Sequence, residues 1–314
     1  MPYRFDENYS TFPSRQQEHL LYLVLFGALQ RQVKHWSCFA IMCGMDDMHG
    51  KLKRLEALLN EYGSVAVAFS GGVDSAFLLK VAHDVLGERC VAVTVRSCVF
   101  PNREFLEAIA FCEKEGVRQL VVDGDVFRID GFAANPADRC YLCKRSILGL
   151  MVNAASAEGM SVLCEGSNVD DTGDYRPGLK AVSELGVQSP LRACGLRKRE
   201  IRVLSEELGL PTSGKPSFAC LASRFPYGER ITEAKLGMVE RAEDFLRDAG
   251  FGQVRVRIHG DMARIEVEPE SFAAVLDMRE RIAAALKGFG FSYVALDLQG
   301  YRTGSMNETI NRQP

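Results

Sequence analysis

The chain has 314 residues, of which 47% are hydrophobic and 25% charged, and its formal net charge is −3. That balance fits a globular protein long enough for two domains and argues against wholesale nucleic-acid binding, which needs a basic surface. The apolar run at 20–29 covers half of what a membrane helix requires and follows an acidic, polar start, so the sequence predicts a cytoplasmic protein with no membrane partner.

Residues 1–50 show no regular period and hold the only tryptophan, Trp36, with Met42, Met45 and Met48 just before an obvious helix. They read as an extension outside the fold, added by an upstream start. From Lys51 the pattern becomes orderly: Leu52, Leu55, Leu59 and Tyr62 make one helical face, ended by Gly63. A short apolar strand from Val65 runs into Ser70-Gly71-Gly72-Val73-Asp74-Ser75, and a helix begins behind it. There follow a strand at Cys90–Arg96, a helix opened by Pro101, a strand at Gln119–Val122, a helix at Asp138–Ala157 and a strand at Val162–Glu165. After a polar loop come helices near Leu179–Leu185 and Arg197–Leu208, the latter stopped by Gly209 and Pro211. Such alternation predicts an α/β fold, a doubly wound parallel sheet with ligands at the carboxyl ends of its strands.

Residues 212–230 break the pattern with Gly214, Pro216, Pro226 and Gly228. Beyond them the order is helix 232–249, strands 253–259 and 263–268, helix 270–287 and strand 291–298, an αββαβ unit expected to be a small antiparallel sheet with helices on one face. The predicted organisation is an extension at 1–50, a nucleotide-binding domain at 51–211, a cysteine-bearing loop at 212–230 and a C-terminal α+β domain at 231–314.

The glycine-rich loop carries most of the chemistry. Gly71 and Gly72 have no Cβ, so their N–H groups can close on a ligand; Ser70 and Ser75 add hydroxyls, and the following helix adds its positive N-terminus. Together with Val73 and Asp74 this is a cradle for phosphates, and the missing Gly-Lys-Ser/Thr separates it from the Walker loop. The strand that contains Thr94 ends at Arg96-Ser97, where adenosine would be seated. Another strand end, Glu165-Gly166-Ser167-Asn168-Val169-Asp170-Asp171, supplies Gly166 for close approach, with Asn168, Asp170 and Asp171 for ribose, magnesium or catalytic water; Arg176 follows.

Ten cysteines is many for such a chain, and in a reducing compartment they serve metals or catalysis more than disulfides. Cys140 and Cys143 form a Cys-x-x-Cys at a helix start, and Cys220 lies in the irregular stretch; Arg139, Lys144, Lys215 and Arg224 flank them and favour thiolates. Three thiolates can hold a 4Fe–4S cluster with one iron open, can contribute to a zinc site, or can be buried apolar residues. Cys38, Cys43, Cys90, Cys98, Cys112, Cys164 and Cys194 read as core or tail residues. Arg255, Arg257, Arg264, Glu266, Asp297 and Arg302 read mostly as alternating solvated strand positions. Lys215, Arg224 and Arg176 are the expected contacts for substrate or pyrophosphate.

The combination of the loop at Ser70–Ser75, Arg139-Cys140-Tyr141-Leu142-Cys143-Lys144, the segment from Glu165 to Pro177 and the segment from Pro216 to Gly228 resembles the LarE family of the PP-loop superfamily. The likeness runs from about Lys51 to Asn307. It implies an ATP pyrophosphatase fold and ATP-dependent sulfur insertion into pyridinium-3,5-biscarboxylic acid mononucleotide, toward the nickel-pincer cofactor of lactate racemase. It also implies adenylation of a carboxylate with Mg²⁺, attack by the thiolate of Cys220, and a homo-oligomer. In single-cysteine members the Cβ–S bond then breaks to leave dehydroalanine; in three-cysteine members the residues matching Cys140, Cys143 and Cys220 ligate a 4Fe–4S cluster. Three other readings keep part of the pattern. An ammonia-using synthetase would not need the three cysteines, a tRNA-thiolating enzyme would need a basic surface, and a nucleotide sensor would not release pyrophosphate.

Overall fold

The computed structural model describes residues 47–173, 178–216 and 219–302. The expected extension lies outside the described residues up to position 46, as do Cys38, Cys43 and Arg176. By compactness the chain divides into 1–52 and 53–314.

A first helix, α1, covers 47–62, with Leu55 and Leu59 fully buried and Gly63 at φ +76 beyond its end. Then come β1 (Val65–Ala68), α2 (Val73–Leu86), β2 (Cys90–Arg96), α3 (Asn102–Glu115), β3 (Gln119–Asp123), α4 (Arg139–Ala157) and β4 (Val162–Cys164). The four strands form one parallel sheet in the order β3-β2-β1-β4. Ala66 stands opposite Val91 and Leu163, and Val93 opposite Leu120. Ala66, Val91, Val93 and Val95 share a core with Ile147, Leu148 and Met151 of α4. Val65, Val67, Cys90 and Ala92, which point to the opposite face, are buried too. Both faces are therefore covered, as the uninterrupted apolar composition of β1 and β2 requires.

Three helices follow, α5 (Gly178–Glu184), the single turn α6 (Pro190–Ala193) and α7 (Lys198–Glu207). Sequence reading missed α6, which begins at Pro190, a residue suited to a first helical turn. The last part holds α8 (Glu233–Asp248), β5 (Val254–His259), β6 (Met262–Val267), α9 (Phe272–Asp277), α10 (Arg279–Gly288) and β7 (Tyr293–Leu296). Two expectations are corrected here. The sheet is mixed rather than antiparallel: β5 and β6 form a hairpin, while β7 pairs with β6 in parallel, because the helical connection returns the chain to the same end. The helix expected at 270–287 is broken at Met278, between α9 and α10.

Strand order reverses direction at β1. From β1 the chain steps to β2 and β3 on one side and later to β4 on the other, so the carboxyl ends of β1 and β4 flank the switch point where such sheets bind ligands.

Candidate active site

The loop after β1 is held by its own serines. The Ser70 and Ser75 hydroxyls are 3.1 Å apart, and the Ser75 hydroxyl donates to the Gly72 carbonyl at 3.1 Å. Gly72 is the N-cap of α2 and makes no side-chain cap hydrogen bond to it. Gly71 has φ +72, and a Cβ there would lie 3.3 Å from Cβ of Ala108 on α3. A glycine is thus required by both backbone angle and space. A Cβ on Gly166 would meet the Ser75 nitrogen at 3.0 Å, so the end of β4 packs closely on the glycine-rich loop.

Two further expected residues have their polar groups engaged within the protein. The buried Thr94 hydroxyl donates to the Phe69 carbonyl at 3.0 Å and accepts from Gln119 at 2.8 Å, which locks β1 against β2. Asp170 accepts from the Lys198 backbone at 2.8 Å and from the Arg197 guanidinium at 3.0 Å, so it caps α7. Ser97 is different: its hydroxyl is buried just past the end of β2, beside the Cys98 thiol. The Asn168 amide donates to the Asp74 carboxylate at 3.3 Å, its backbone N–H donates to Asp171 at 2.9 Å, and its side-chain oxygen accepts from the Asp170 N–H at 2.8 Å.

Lys198 was missed in the sequence, although it donates to the Asp74 carboxylate in the first turn of α2. A signal existed. Arg197 and Lys198 put two cations at the positive end of α7, where a helix favours carboxylates, so positive charge there calls for an anionic neighbour.

Glu165, at the end of β4, is 7% exposed. Burial alone would raise its carboxyl, but Lys144 at 3.4 Å and hydrogen bonds from Ser189 and Ser167 outweigh burial and hold it below the usual range. Lys144 belongs to the first turns of α4, which also carry Cys140 and Cys143 at a spacing that shares one helix face.

The Cys220 segment is wrapped by three arginines. Arg224 is fully buried: it grips Glu243 through two nitrogens at 2.8 and 2.7 Å and donates to the carbonyls of Ala219 and Cys220 at 2.7 and 3.0 Å. Arg139 donates to the Ala222 carbonyl at 2.9 Å, and Arg257 to that of Ser223 at 2.8 Å while gripping Glu266. Arg224 thus faces the protein interior, with its donors on Glu243 and on the carbonyls of Ala219 and Cys220. One expectation is corrected here. Arg255, Arg257 and Glu266 are 4%, 8% and 1% exposed, because the second face of β5 is packed against the turn at Leu221–Arg224 instead of facing water.

The three sequence-predicted cysteines influence one another without forming a close triad. Cys220 and Cys140 each push the Cys143 thiol up, and Cys220 pushes Cys140 up, which places all three within electrostatic range of one another. Cys98, expected in the core or tail, is in range of Cys143 as well. Burial first, then the neighbouring sulfurs, push the Cys143 thiol up to about 12 despite Arg139, and Cys140 is pushed up in the same direction. Among the described residues no three His, Cys, Asp or Glu side chains are gathered closely enough to hold a metal ion, so the thiols as placed do not form a ready cluster site. Cys90, Cys112, Cys164 and Cys194 are buried, as core residues.

Lys215 joins the two halves of the site. Its ammonium donates to the Gly71 carbonyl at 3.0 Å and pairs with Glu104 and Glu107, each at 2.6 Å.

No family model matches the chain. It is 40% identical over 268 residues to an uncharacterized protein of Synechocystis, covering 84% of this chain and 100% of that one. It is 38% identical over 263 residues to the pyridinium-3,5-bisthiocarboxylic acid mononucleotide synthase of Lactiplantibacillus plantarum, covering 83% of this chain and 95% of the relative. The chain belongs to the LarE family. A more distant likeness, 28% over 201 residues, joins it to a component of the glutamine-hydrolyzing GMP synthase of Thermoplasma volcanium, over 59% of this chain and 63% of that one. The LarE chain is accordingly an ATP-using PP-loop enzyme with sulfur transferase activity. Its parallel sheet and small second sheet are the α/β architecture expected of that superfamily. No described helix is long and apolar enough to cross a membrane.

Proposed function

We propose that this enzyme converts pyridinium-3,5-biscarboxylic acid mononucleotide to its thiocarboxylate, using ATP to activate the carboxylate and Cys220 to deliver sulfur. ATP lies with its phosphates on residues 70–75 and its adenosine toward Ser97. The substrate carboxylate attacks the α-phosphorus, pyrophosphate leaves, and an acyl adenylate forms. Backbone N–H groups at the start of α2 and the ammonium of Lys198 offset the negative charge on the departing group. Mg²⁺ would accompany the phosphates, and Asp74, in the first turn of α2, would be a carboxylate to hold it, in keeping with a cation that takes one or two carboxylates plus phosphate oxygens. The Cys220 thiolate then attacks the adenylated carbonyl and AMP leaves, giving a thioester; loss of the Cys220 α-proton with cleavage of its Cβ–S bond then releases the thiocarboxylate and leaves dehydroalanine at position 220.

The observation that carries this reading is the reach of Lys215 to Gly71, which ties the thiol-bearing stretch directly to the phosphate loop. In the proposed division of labour 51–211 holds the nucleotide, 212–230 presents the thiol and 231–314 completes the substrate site. Supply of the cofactor pathway of lactate racemase and assembly as a homo-oligomer belong to the same proposal.

A pyrophosphate-release assay with the pyridinium dicarboxylate mononucleotide tests the reading. Release that depends on this substrate supports it; release that requires ammonia instead would assign an amidating synthetase. The fate of Cys220 is read separately, by intact mass after one turnover and by iron and sulfide analysis of anaerobically purified protein. Conversion to dehydroalanine marks sacrifice, whereas about four iron and four sulfide per chain marks a cluster on the three cysteines.

A further inference from the structure

The Gly71–Gly72 peptide decides whether the phosphate loop can receive an anion. A peptide unit is planar and trans, so its C=O and N–H point in opposite directions; no cis peptide bond occurs among the described residues. With two glycines and φ +72 at Gly71, this unit has little steric resistance to turning over. Turned one way it offers an N–H to a phosphate, and turned the other way it offers a carbonyl, which repels one. The loop's serines bond to each other and to the Gly72 carbonyl, and leave the Gly71 carbonyl to another partner.

That partner is Lys215. Its side chain and that of Glu104 are each 12% exposed, and its ammonium is shared among the Gly71 carbonyl and the carboxylates of Glu104 and Glu107. Two carboxylates against one ammonium make a poor direct phosphate ligand, because they would repel the phosphate that the lysine attracted. The backbone around Lys215 is fixed in turn: the Arg202 guanidinium donates to the carbonyls of Ser213 and Lys215, the latter at 2.8 Å. Lys198, one turn earlier on the same face of α7, bonds Asp74. Helix α7 therefore grips both the start of α2 and the segment that reaches the loop.

We propose that Lys215 is a positioning residue that, oriented by Glu104 and Glu107, holds the Gly71 carbonyl outward so that the Gly72 N–H faces the nucleotide's phosphates. The assignment rests on the reading of 70–75 as the ATP site and adds the device that sets its competence. The lysine acts through the loop backbone and touches no reacting atom.

Titration calorimetry of the full chain with inorganic pyrophosphate, ATP and adenosine tests it. Lys215→Met should weaken pyrophosphate at least tenfold and leave adenosine within twofold. Lys215→Arg, which keeps donors for the carbonyl and a carboxylate, should stay within threefold for both. Glu104→Gln, nearly isosteric, should weaken pyrophosphate severalfold because the ammonium loses its orienting partner. Tighter pyrophosphate binding by Glu104→Gln would overturn the proposal, since it would mean that Lys215 meets the phosphate itself once a competing carboxylate is gone. Pyrophosphate affinity of Lys215→Met within twofold of wild type, or an equal loss of adenosine affinity, would overturn it as well. A wild-type chain that binds no ATP would instead remove the nucleotide reading beneath it.

Discussion

Glu165 carries a pH dependence whose sign follows from its surroundings. Its folded carboxyl is held below the usual range by Lys144, Ser189 and Ser167 against the opposing effect of burial. The stability it contributes is therefore complete above the unfolded carboxylate value of about 4.3 and is lost as the pH falls through the lower folded value. Glu165→Gln should cost about 1–3 kcal/mol near neutrality, and its melting temperature should fall less than that of wild type between roughly pH 5 and 3. Parallel melting curves for the two proteins over that range would remove Glu165 from the account. Arg224 gives a larger effect. Arg224→Met leaves the fully buried Glu243 without its fork, and breaking such a pair costs about 3–5 kcal/mol. Chemical denaturation measures the loss, and alkylation of Cys220 should change with it, since the same guanidinium holds the Cys220 carbonyl. Unchanged stability and unchanged alkylation would show that this fork does not position the thiol.

At the scale of elements, the contact between the end of β4 and the glycine-rich loop is a tight constraint. Gly166→Ala would place a Cβ 3.0 Å from the Ser75 nitrogen and 3.3 Å from the Asp74 side chain, so either the loop or the strand end must shift. ATP affinity should drop about tenfold, roughly 1.4 kcal/mol, with little change in the fold's circular dichroism. Wild-type affinity in that variant would mean that the phosphate loop tolerates movement. These elements also show what a sequence discloses. Strand, loop and helix at 65–86 were legible because apolar runs, paired glycines and helical period agree locally. The burial of Arg255 and Arg257 was not legible. Period-2 alternation in Val-Arg-Val-Arg reports two faces, but it does not report that the polar face is covered by a turn thirty residues earlier in the chain. The parallel pairing of β7 was hidden for the same reason, since strand spacing leaves direction open.

Across the whole molecule, one core runs from the α4 face of the parallel sheet through Leu221, Ala222 and Phe225 to Val254, Val256 and Ile258 of the small sheet. The thiol-bearing turn is thus built into packed structure rather than hung from a free loop, which suits a nucleophile that must meet an adenylate with fixed geometry. Cys140, Cys143 and Cys220 were put forward as one set by the motifs, whereas Cys98 and Lys198 were visible only in three dimensions, because each contributes through a neighbour distant in sequence.

Activation and sulfur delivery are separate steps in this account, one assigned to residues 70–75 and the other to Cys220. The most direct test gives Cys220→Ala the pyridinium dicarboxylate mononucleotide, ATP and Mg²⁺, and follows pyrophosphate and thiocarboxylate together. Pyrophosphate should still be released in a substrate-dependent burst while no thiocarboxylate forms. Thiocarboxylate made by that variant at the wild-type rate would contradict the assignment of Cys220.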